Sequence, residues 1–450
     1  AYKVDTTADG AEVPRRDGQA LPGHLTLPRT CHVGYYLLDQ GRVQLEERLH
    51  YRPKGWTQLQ GWILGHPTLF YLGSTLLLTL LLLGLVTLYV LRVGGSAWAV
   101  GGVLLLTVIP VLTLVSNWMN WLVTHTLPPR VLPKLDFSEG IPAQYRTMVV
   151  IPALITSKAE VATLFNELEQ HYLRNPDPYL TFALLSDFSD ADQEVMPTDA
   201  ALLAQAQSLA DGLNERYPQQ PFYFFHRRRR WNASEKRWLG WERKRGKIHE
   251  FNQLLRGASD TSYTVQHGNV AVLSQTRYVI TLDADTVLPN EGAHRLIGTL
   301  AHPLNHAEFA AQTSKVSAGY TILQPRTMIK PNSANRSLFT RIFAGDSGLD
   351  LYTLAVSDLY QDLFGAGIYV GKGIYDVDAF ERSLVGRVPD NSLLSHDLFE
   401  GVHGRVGLAT DIILYEDYPP HYLVTMLRLH RWVRGDWQLL PWLFPNPPRL

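Results

Sequence analysis

The sequence predicts an α/β globule with a mixed central sheet, preceded by a two-helix transmembrane hairpin and followed by an amphipathic interface helix. Three observations predict it. No charged residue occurs between Pro67 and Leu91, nor between Val93 and Pro129, so each stretch holds the roughly 20 apolar residues that cross a bilayer as a helix. From Thr147 onward, short apolar runs alternate with segments of helical periodicity, the pattern of a sheet with helices on its faces. Beyond Pro420, "HYLVTMLRLHRWVRGDWQLLPWLF" mixes leucine, tryptophan and arginine in the manner of a helix lying in a membrane interface.

The bulk composition bounds the function. At 46% hydrophobic and 18% charged, with net charge −1, the chain is not disordered and has no overall attraction to nucleic acid. Cys31 is the only cysteine, which excludes a disulfide framework and a cysteine-based zinc site.

Taken in order, residues 1–66 form a polar N-terminal segment with one amphipathic piece, "GYYLLDQGRVQLEERL". Residues 67–124 hold the two spans. The second contains Pro110, glycines and asparagines, so a buried core helix is its alternative. Position and length exclude a signal peptide. Arg48, Arg52 and Lys54 precede the spans, Arg130 and Lys134 follow them, and only Arg92 lies between. The positive-inside rule then places both flanks, and all that follows, in the cytoplasm. Trp98, Trp118 and Trp121 fit interfacial anchors. Residues 125–144 are a proline-rich linker, and 145–420 the globule.

Within the globule, "TMVVIPAL", "YLTFALLS", "FYFF" and "YVITLDAD" read as strands, and "RVGLATDIILYED" and "AEFAAQTSKV" as further mixed strands. Val161, Leu164, Phe165, Leu168 and Tyr172 recur at helical spacing, as do Leu202, Leu203, Ala206, Leu209 and Leu213. "KIHEFNQLLRG" is a short helix ended by Gly257. Residues 421–450 are the interface helix, and the chain is expected to continue past Leu450.

Polar residues gather where strands end. Asp283 and Asp285 follow the apolar run Tyr278-Val279-Ile280. Two carboxylates so close repel, and a parallel-sheet interior does not accept them. The strand ends there, at the edge where open α/β sheets bind ligands, with a cation between the carboxylates. Oxygen ligands of this kind suit Mg²⁺ or Mn²⁺ shared with a phosphate; the alternative is a plain polar turn. Asp187 follows the second strand, Lys247 opens a helix, "LLSHDLFEG" supplies Asp397 and Glu400, and "HRWVRGDWQ" supplies Arg431, Trp432 and Arg434. A sugar-nucleotide substrate needs such a set: cations for the diphosphate, a carboxylate to take the acceptor proton, and an aromatic face for a sugar ring.

The order Asp187, Lys247, Asp-x-Asp, Asp397 and "RWVRG" resembles that of the processive GT-A glycosyltransferases, the class of cellulose and hyaluronan synthases. "CHVGYYLLDQGR", "LLSDFSDAD", "RRRRWNASEKRWLGWERKRGKIHEFN", "DLFGAGIYVGKGIYDVDAFE" and "SHDLFEG" make it more similar still to glycosyltransferase family 84, the glycosyltransferase part of cyclic β-1,2-glucan synthases. The resemblance implies a GT-A-like domain that transfers glucose from UDP-glucose, with inversion, to a growing β-1,2-glucan. It implies uridine contact for Asp187, nucleotide or diphosphate contact for Lys247, and a metal–diphosphate held by Asp283 and Asp285 with Mg²⁺ or Mn²⁺. Asp397 would be the general base, Trp432 would stack under the acceptor, and Arg431 and Arg434 would lie near the diphosphate. Arg428 stands where the wider class has glutamine, so that contact does not carry over. The implied setting is a bacterial inner membrane, multi-pass, with further C-terminal spans and a glycoside-phosphorylase-like domain in the full-length protein. Alternatives are a synthase of another β-glycan, cellulose-like, or a catalytically silent UDP-sugar-binding scaffold.

The basic stretch "HRRRRWNASEKRWLGWERKRGK" interleaves Trp231, Trp238 and Trp241. It reads as a loop over the diphosphate or acceptor, against a solvated or lipid-facing loop or a nucleic-acid patch. Nucleic acid is not the expected partner.

Overall fold

In the computed structural model, which describes residues 3–6, 12–15, 28–311, 313–344, 358–388, 393 and 396–444, the apolar runs pair into one eight-stranded sheet. Its strands are β1 (Thr147–Ile155), β2 (Leu180–Phe188), β3 (Phe222–Arg227), β4 (Tyr263–His267), β5 (Tyr278–Thr281), β6 (Ile322–Ile329), β7 (Gly373–Asp376) and β8 (Val406–Glu416). They lie in the order β8-β6-β7-β5-β1-β2-β3-β4. The central strands β5, β1, β2 and β3 run parallel, while β4 and β7 are antiparallel to their neighbours. The sheet is therefore mixed and GT-A-like. Every residue of β2 is buried, as a parallel strand covered on both faces requires.

The helices used below are α1 (Pro67–Arg92), α2 (Ala97–Thr126), α3 (Lys158–Arg174), α4 (Asp199–Arg216), α5 (Arg243–Leu255), α6 (Gly292–Ala301), α7 (Val377–Leu384), α8 (Asp397–Gly404) and α9 (Tyr422–Gln438). One core lies between the sheet and α3, α4 and α6; the other lies against α5 and α7. Helix α3 shows how local sequence sets an element. The Ser157 hydroxyl accepts from the Glu160 amide at 3.2 Å, capping the first turn. Val161, Leu164, Phe165, Leu168 and Tyr172 are then buried in a line, as their spacing predicts.

Some elements depart from the sequence reading. Helix α5 starts at Arg243 rather than Lys247, because its first turn, Arg243-Lys244-Arg245, is polar and carries no apolar periodicity. Among the described residues of "AEFAAQTSKV", only Glu308–Phe309 and Val316 form strand, in a separate two-stranded sheet completed by Ala318.

Helices α1 and α2, of 26 and 30 residues, are long and apolar enough to cross a membrane. Only 11% and 6% of their most apolar stretches are buried, which excludes the core-helix alternative. They pack along each other, with the Tyr71 hydroxyl donating to Asn120 Oδ1 at 2.6 Å. At their foot, Ile63, Val123 and Leu127 meet Leu359 and Leu363 of the globule.

Residues Ala1–Lys54 form a separate compact unit, with helices Val33–Leu38 and Gly41–Arg48 and an Arg29–Asp39 ion pair at 2.6 Å.

Candidate active site

A cavity of about 1000 Å³ opens beyond the end of β5. Asp283 and Asp285 line it from the β5 loop, Lys244 from the first turn of α5, Lys372 from the approach to β7, and His396 and Asp397 from the start of α8. Helix α9 adds Arg428, Arg431, Trp432 and Arg434. Asp283, Asp285, Asp397, Arg431, Trp432 and Arg434, all singled out from sequence, thus share one cavity. Asp187 and Lys247 do not line it.

The β5 run is buried through Leu282, and the chain then turns, with the Thr286 amide donating to the Asp283 carbonyl at 3.0 Å. This answers why a buried run leads into two carboxylates: both lie past the strand, at the cavity wall. Asp283 is not solvated alone there. Lys244 Nζ donates to its Oδ1 at 2.6 Å, and Lys372 Nζ lies 3.2 Å from its Oδ2. Burial would raise the Asp283 carboxyl, but Lys244 and Lys372 overcome it and hold its pKa at about 2. Burial likewise works against the charged Lys244, and Asp283 and Asp397 outweigh it, raising the ammonium. Asp285 is exposed.

Lys372 is a buried lysine ion-paired with the equally buried Glu416 at the end of β8. Its setting depends on two glycines. Gly371 has φ +81° and Gly373 φ +140°, conformations that L side chains rarely adopt. A Cβ on Gly371 would lie 2.7 Å from Asp397 Oδ1, and one on Gly373 would lie 2.2 Å from the Leu323 carbonyl. The Gly371 carbonyl also accepts from Lys244 Nζ at 2.9 Å.

Asp397 opens α8 and is half-buried, and among the described residues its Oδ1 accepts no hydrogen bond. His396 Nδ1 lies 3.5 Å from that oxygen and 2.9 Å from Glu400 Oε1. Burial opposes the His396 cation, and Glu400 and Asp397 more than restore it, raising its pKa. One ligand atom from each of His396, Asp397 and Glu400 falls within 4.8 Å of the others, a cluster able to coordinate a divalent metal. The Asp283–Asp285 pair also fits a hard cation by donor type, with the two ammoniums already on Asp283 as competitors.

Behind the cavity lies a buried network. Arg227 grips Asp187 with two hydrogen bonds of 2.8 Å, and Lys247 Nζ is 3.2 Å from the same carboxylate. Burial would raise Asp187, and Lys247 and Arg227 keep it below the usual carboxylate range. Lys247 is lowered to about 8, by burial first and by Arg227 beside it. Arg227 also donates to Glu250 at 2.9 Å and to the carbonyls of Trp241 and Arg243 at 3.0 Å each. Asp187 and Lys247 therefore support, through Arg227, the loop that carries Arg243 and Lys244 to the cavity.

The basic stretch folds as a ribbon, Arg230–Asn232 paired with Arg237–Leu239, in which Trp231 and Trp238 meet edge to face. Asn232, Ser234 and Glu235 of this ribbon line the cavity. The Arg428 guanidinium sits 4.6 Å over the Trp432 ring, covering one of its faces.

Sequence reasoning missed Lys244, Lys372, Glu416, Arg227 and His396. The paired glycines of "VGKGIYD" were a readable signal for Lys372; Glu416 offered none.

No family model matches the chain. Over 420 residues, 92% of its length, the chain is 42% identical to the cyclic beta-(1,2)-glucan synthase NdvB of Rhizobium meliloti (strain 1021). Over that stretch the two proteins are homologous. The chain spans 15% of that synthase.

Proposed function

We propose that this chain is the glycosyltransferase part of a membrane-bound, inverting enzyme that moves glucose from UDP-glucose to a growing β-1,2-glucan at the cytoplasmic face of a bacterial inner membrane. The observation that carries the reading is the shared cavity of Asp283, Asp285, Asp397 and Trp432. The homology to a glucan synthase supports the donor and linkage.

Asp397, which lines the cavity, accepts the proton of the attacking sugar hydroxyl. The hydroxyl oxygen bonds to the anomeric carbon as the bond to the UDP oxygen breaks on the opposite face. Lys244, Lys372, Arg431 and Arg434 offset charge on the departing diphosphate. Mg²⁺ or Mn²⁺ held by Asp283 and Asp285 supplies further charge neutralisation when bound. Trp432 offers its uncovered face to the acceptor sugar. Asp187 and Lys247 act on the nucleotide side by supporting the Trp241–Lys244 loop.

The test is UDP release from UDP-glucose by detergent-purified protein, with Mn²⁺ or with EDTA, beside Asp397→Asn. Release is expected to require metal and to fall about 10²–10⁴-fold in the variant. Methylation analysis of the product separates β-1,2 from β-1,4 linkage. UDP binding without release from any UDP-sugar would instead support a silent scaffold.

One observation favours a second metal site, the His396–Asp397–Glu400 cluster. Pulsed electron paramagnetic resonance of bound Mn²⁺ separates the two. Imidazole nitrogen coupling places the ion on His396, and its absence leaves Asp283 and Asp285.

A further inference from the structure

Two ammonium groups occupy the carboxylate that the sequence assigns to a metal. Lys244 takes Asp283 Oδ1 at 2.6 Å, and Lys372 approaches Oδ2 at 3.2 Å. Both oxygens of Asp283 are thus engaged, and a dication arriving alone meets two like charges. Both lysines also line the cavity, where a phosphate oxygen is an alternative partner for each. Their second contacts limit where they can go. Lys372 is tied to the buried Glu416, and Lys244 to the Gly371 carbonyl. Neither is free to leave for solvent, but each can shift its charge from Asp283 to a ligand in the cavity.

We propose that Lys372 and Lys244 are the resident counter-ions of Asp283, and that a nucleoside diphosphate draws them off this carboxylate as it brings a divalent cation to it. The inference rests on the nucleotide-sugar reading above, in which a shared ion already couples metal to diphosphate, and adds that the two lysines carry part of that coupling. Metal alone binds weakly because the ammoniums hold its ligand. A diphosphate relieves both competitors at once. By linkage, metal tightens diphosphate binding by the same factor. Uridine, which has no phosphate, gives neither effect.

The experiment is a titration of the detergent-purified full chain with Mn²⁺, read as loss of the free-ion resonance, with UDP, with uridine and with neither. UDP binding is measured by calorimetry in the same samples. In the unmodified protein, UDP is expected to tighten Mn²⁺ about tenfold or more, and uridine to leave it unchanged. Lys372→Met combined with Glu416→Gln removes both charges, so that neither is left buried alone. In that variant Mn²⁺ alone binds more tightly, and the UDP effect is smaller than in the unmodified protein, the remainder coming from the shared ion and from Lys244. Lys372→Arg keeps the effect. Should the double variant fail to fold, Lys244→Met, at a half-buried site, tests the same direction. Equal coupling in the unmodified protein and in the charge-removed variants overturns the exchange. UDP that binds with no effect on Mn²⁺ overturns the exchange alone; UDP that does not bind overturns the nucleotide-sugar reading with it.

Discussion

Arg227 is fully buried and makes five hydrogen bonds to four residues, so its replacement by methionine is a sharp test of how the site is supported. The change deletes the 2.8 Å fork on Asp187, the 2.9 Å bond to Glu250 and both bonds to the Trp241 and Arg243 carbonyls. Removing one partner of a buried ion pair destabilises by about 3–5 kcal/mol. Here Lys247 remains 3.2 Å from Asp187, and the Ser262 amide still donates to Glu250 at 3.0 Å, so the lower end, about 3 kcal/mol, applies. For a domain of this size that is roughly 6–12 °C in melting temperature. Thermal unfolding followed by intrinsic fluorescence in detergent measures it. Arg227→Lys provides the second readout: it keeps a charge but loses the fork, so the two carbonyls lose their donors and UDP affinity drops. A melting temperature within about 2 °C of the unmodified protein for Arg227→Met would refute the argument, because a surface residue behaves that way. Lower stability with unchanged UDP affinity in both variants would reduce Arg227 to a core residue with no hold on the loop.

Other outcomes follow from the same geometry. Gly371→Ala places a methyl against the Asp397 carboxylate at a positive φ, so about 1–3 kcal/mol of stability and most UDP release are expected to be lost together; coupled melting and turnover assays check it. Trp432→Ala removes the proposed acceptor platform and is expected to raise the half-saturating acceptor concentration roughly tenfold, leaving UDP affinity unchanged by calorimetry. His171 and His226 are buried and held at about 4 by burial, against 6.5 in the unfolded chain. The unfolded state therefore binds protons first as pH falls, and stability present above pH 6.5 is lost between 6.5 and 4. By pH 5 the loss is roughly 2 kcal/mol for each, and His226→Gln is expected to lessen the fall of the urea midpoint between pH 7.5 and pH 5.

The legible parts of this fold are those where one physical signal dominates. β1, β2, β3 and β5 are continuous apolar runs because both faces are covered, and α3 advertises its buried line at helical spacing. β6 was illegible for the opposite reason. Its Pro325 and Arg326 break the apolar run exactly where the register with β8 shifts, so a strand inside the sheet reads as a loop. β7 has only four residues, and Gly371 before it and Gly373 at its start matter more to it than hydrophobicity. The candidate site divides the same way. Asp283, Asp285, Asp397 and the α9 residues stood out because carboxylates and arginines beside apolar segments need a reason. The cations that meet Asp283 did not, because Lys244 sits in a basic run and Lys372 gains its partner only when β8 brings Glu416 alongside. Asp187 was legible as an unusual carboxylate, yet the arginine that grips it lies forty residues on and was read as part of a basic loop.

Helix α9 ties the cavity to the question of the membrane. It delivers Arg428, Arg431, Trp432 and Arg434 to the cavity wall, yet Gly435 is its only buried residue. Leu423 and Leu427 are 73% exposed and Trp437 68%. A helix of 17 residues with so little packing is marginal in water, since tertiary burial rather than propensity stabilises helices of this length. Burying a leucine side chain is worth about 1.5–3 kcal/mol, and a lipid interface offers that burial to the apolar residues while the arginines stay solvated. The residues that would be covered and the residues that line the cavity belong to one rigid element. A lipid interface that covered α9 would therefore also set where Trp432 stands relative to Asp397. Activity in a bilayer is therefore expected to exceed activity in a detergent that leaves those side chains uncovered, and equal activity in both would refute the link.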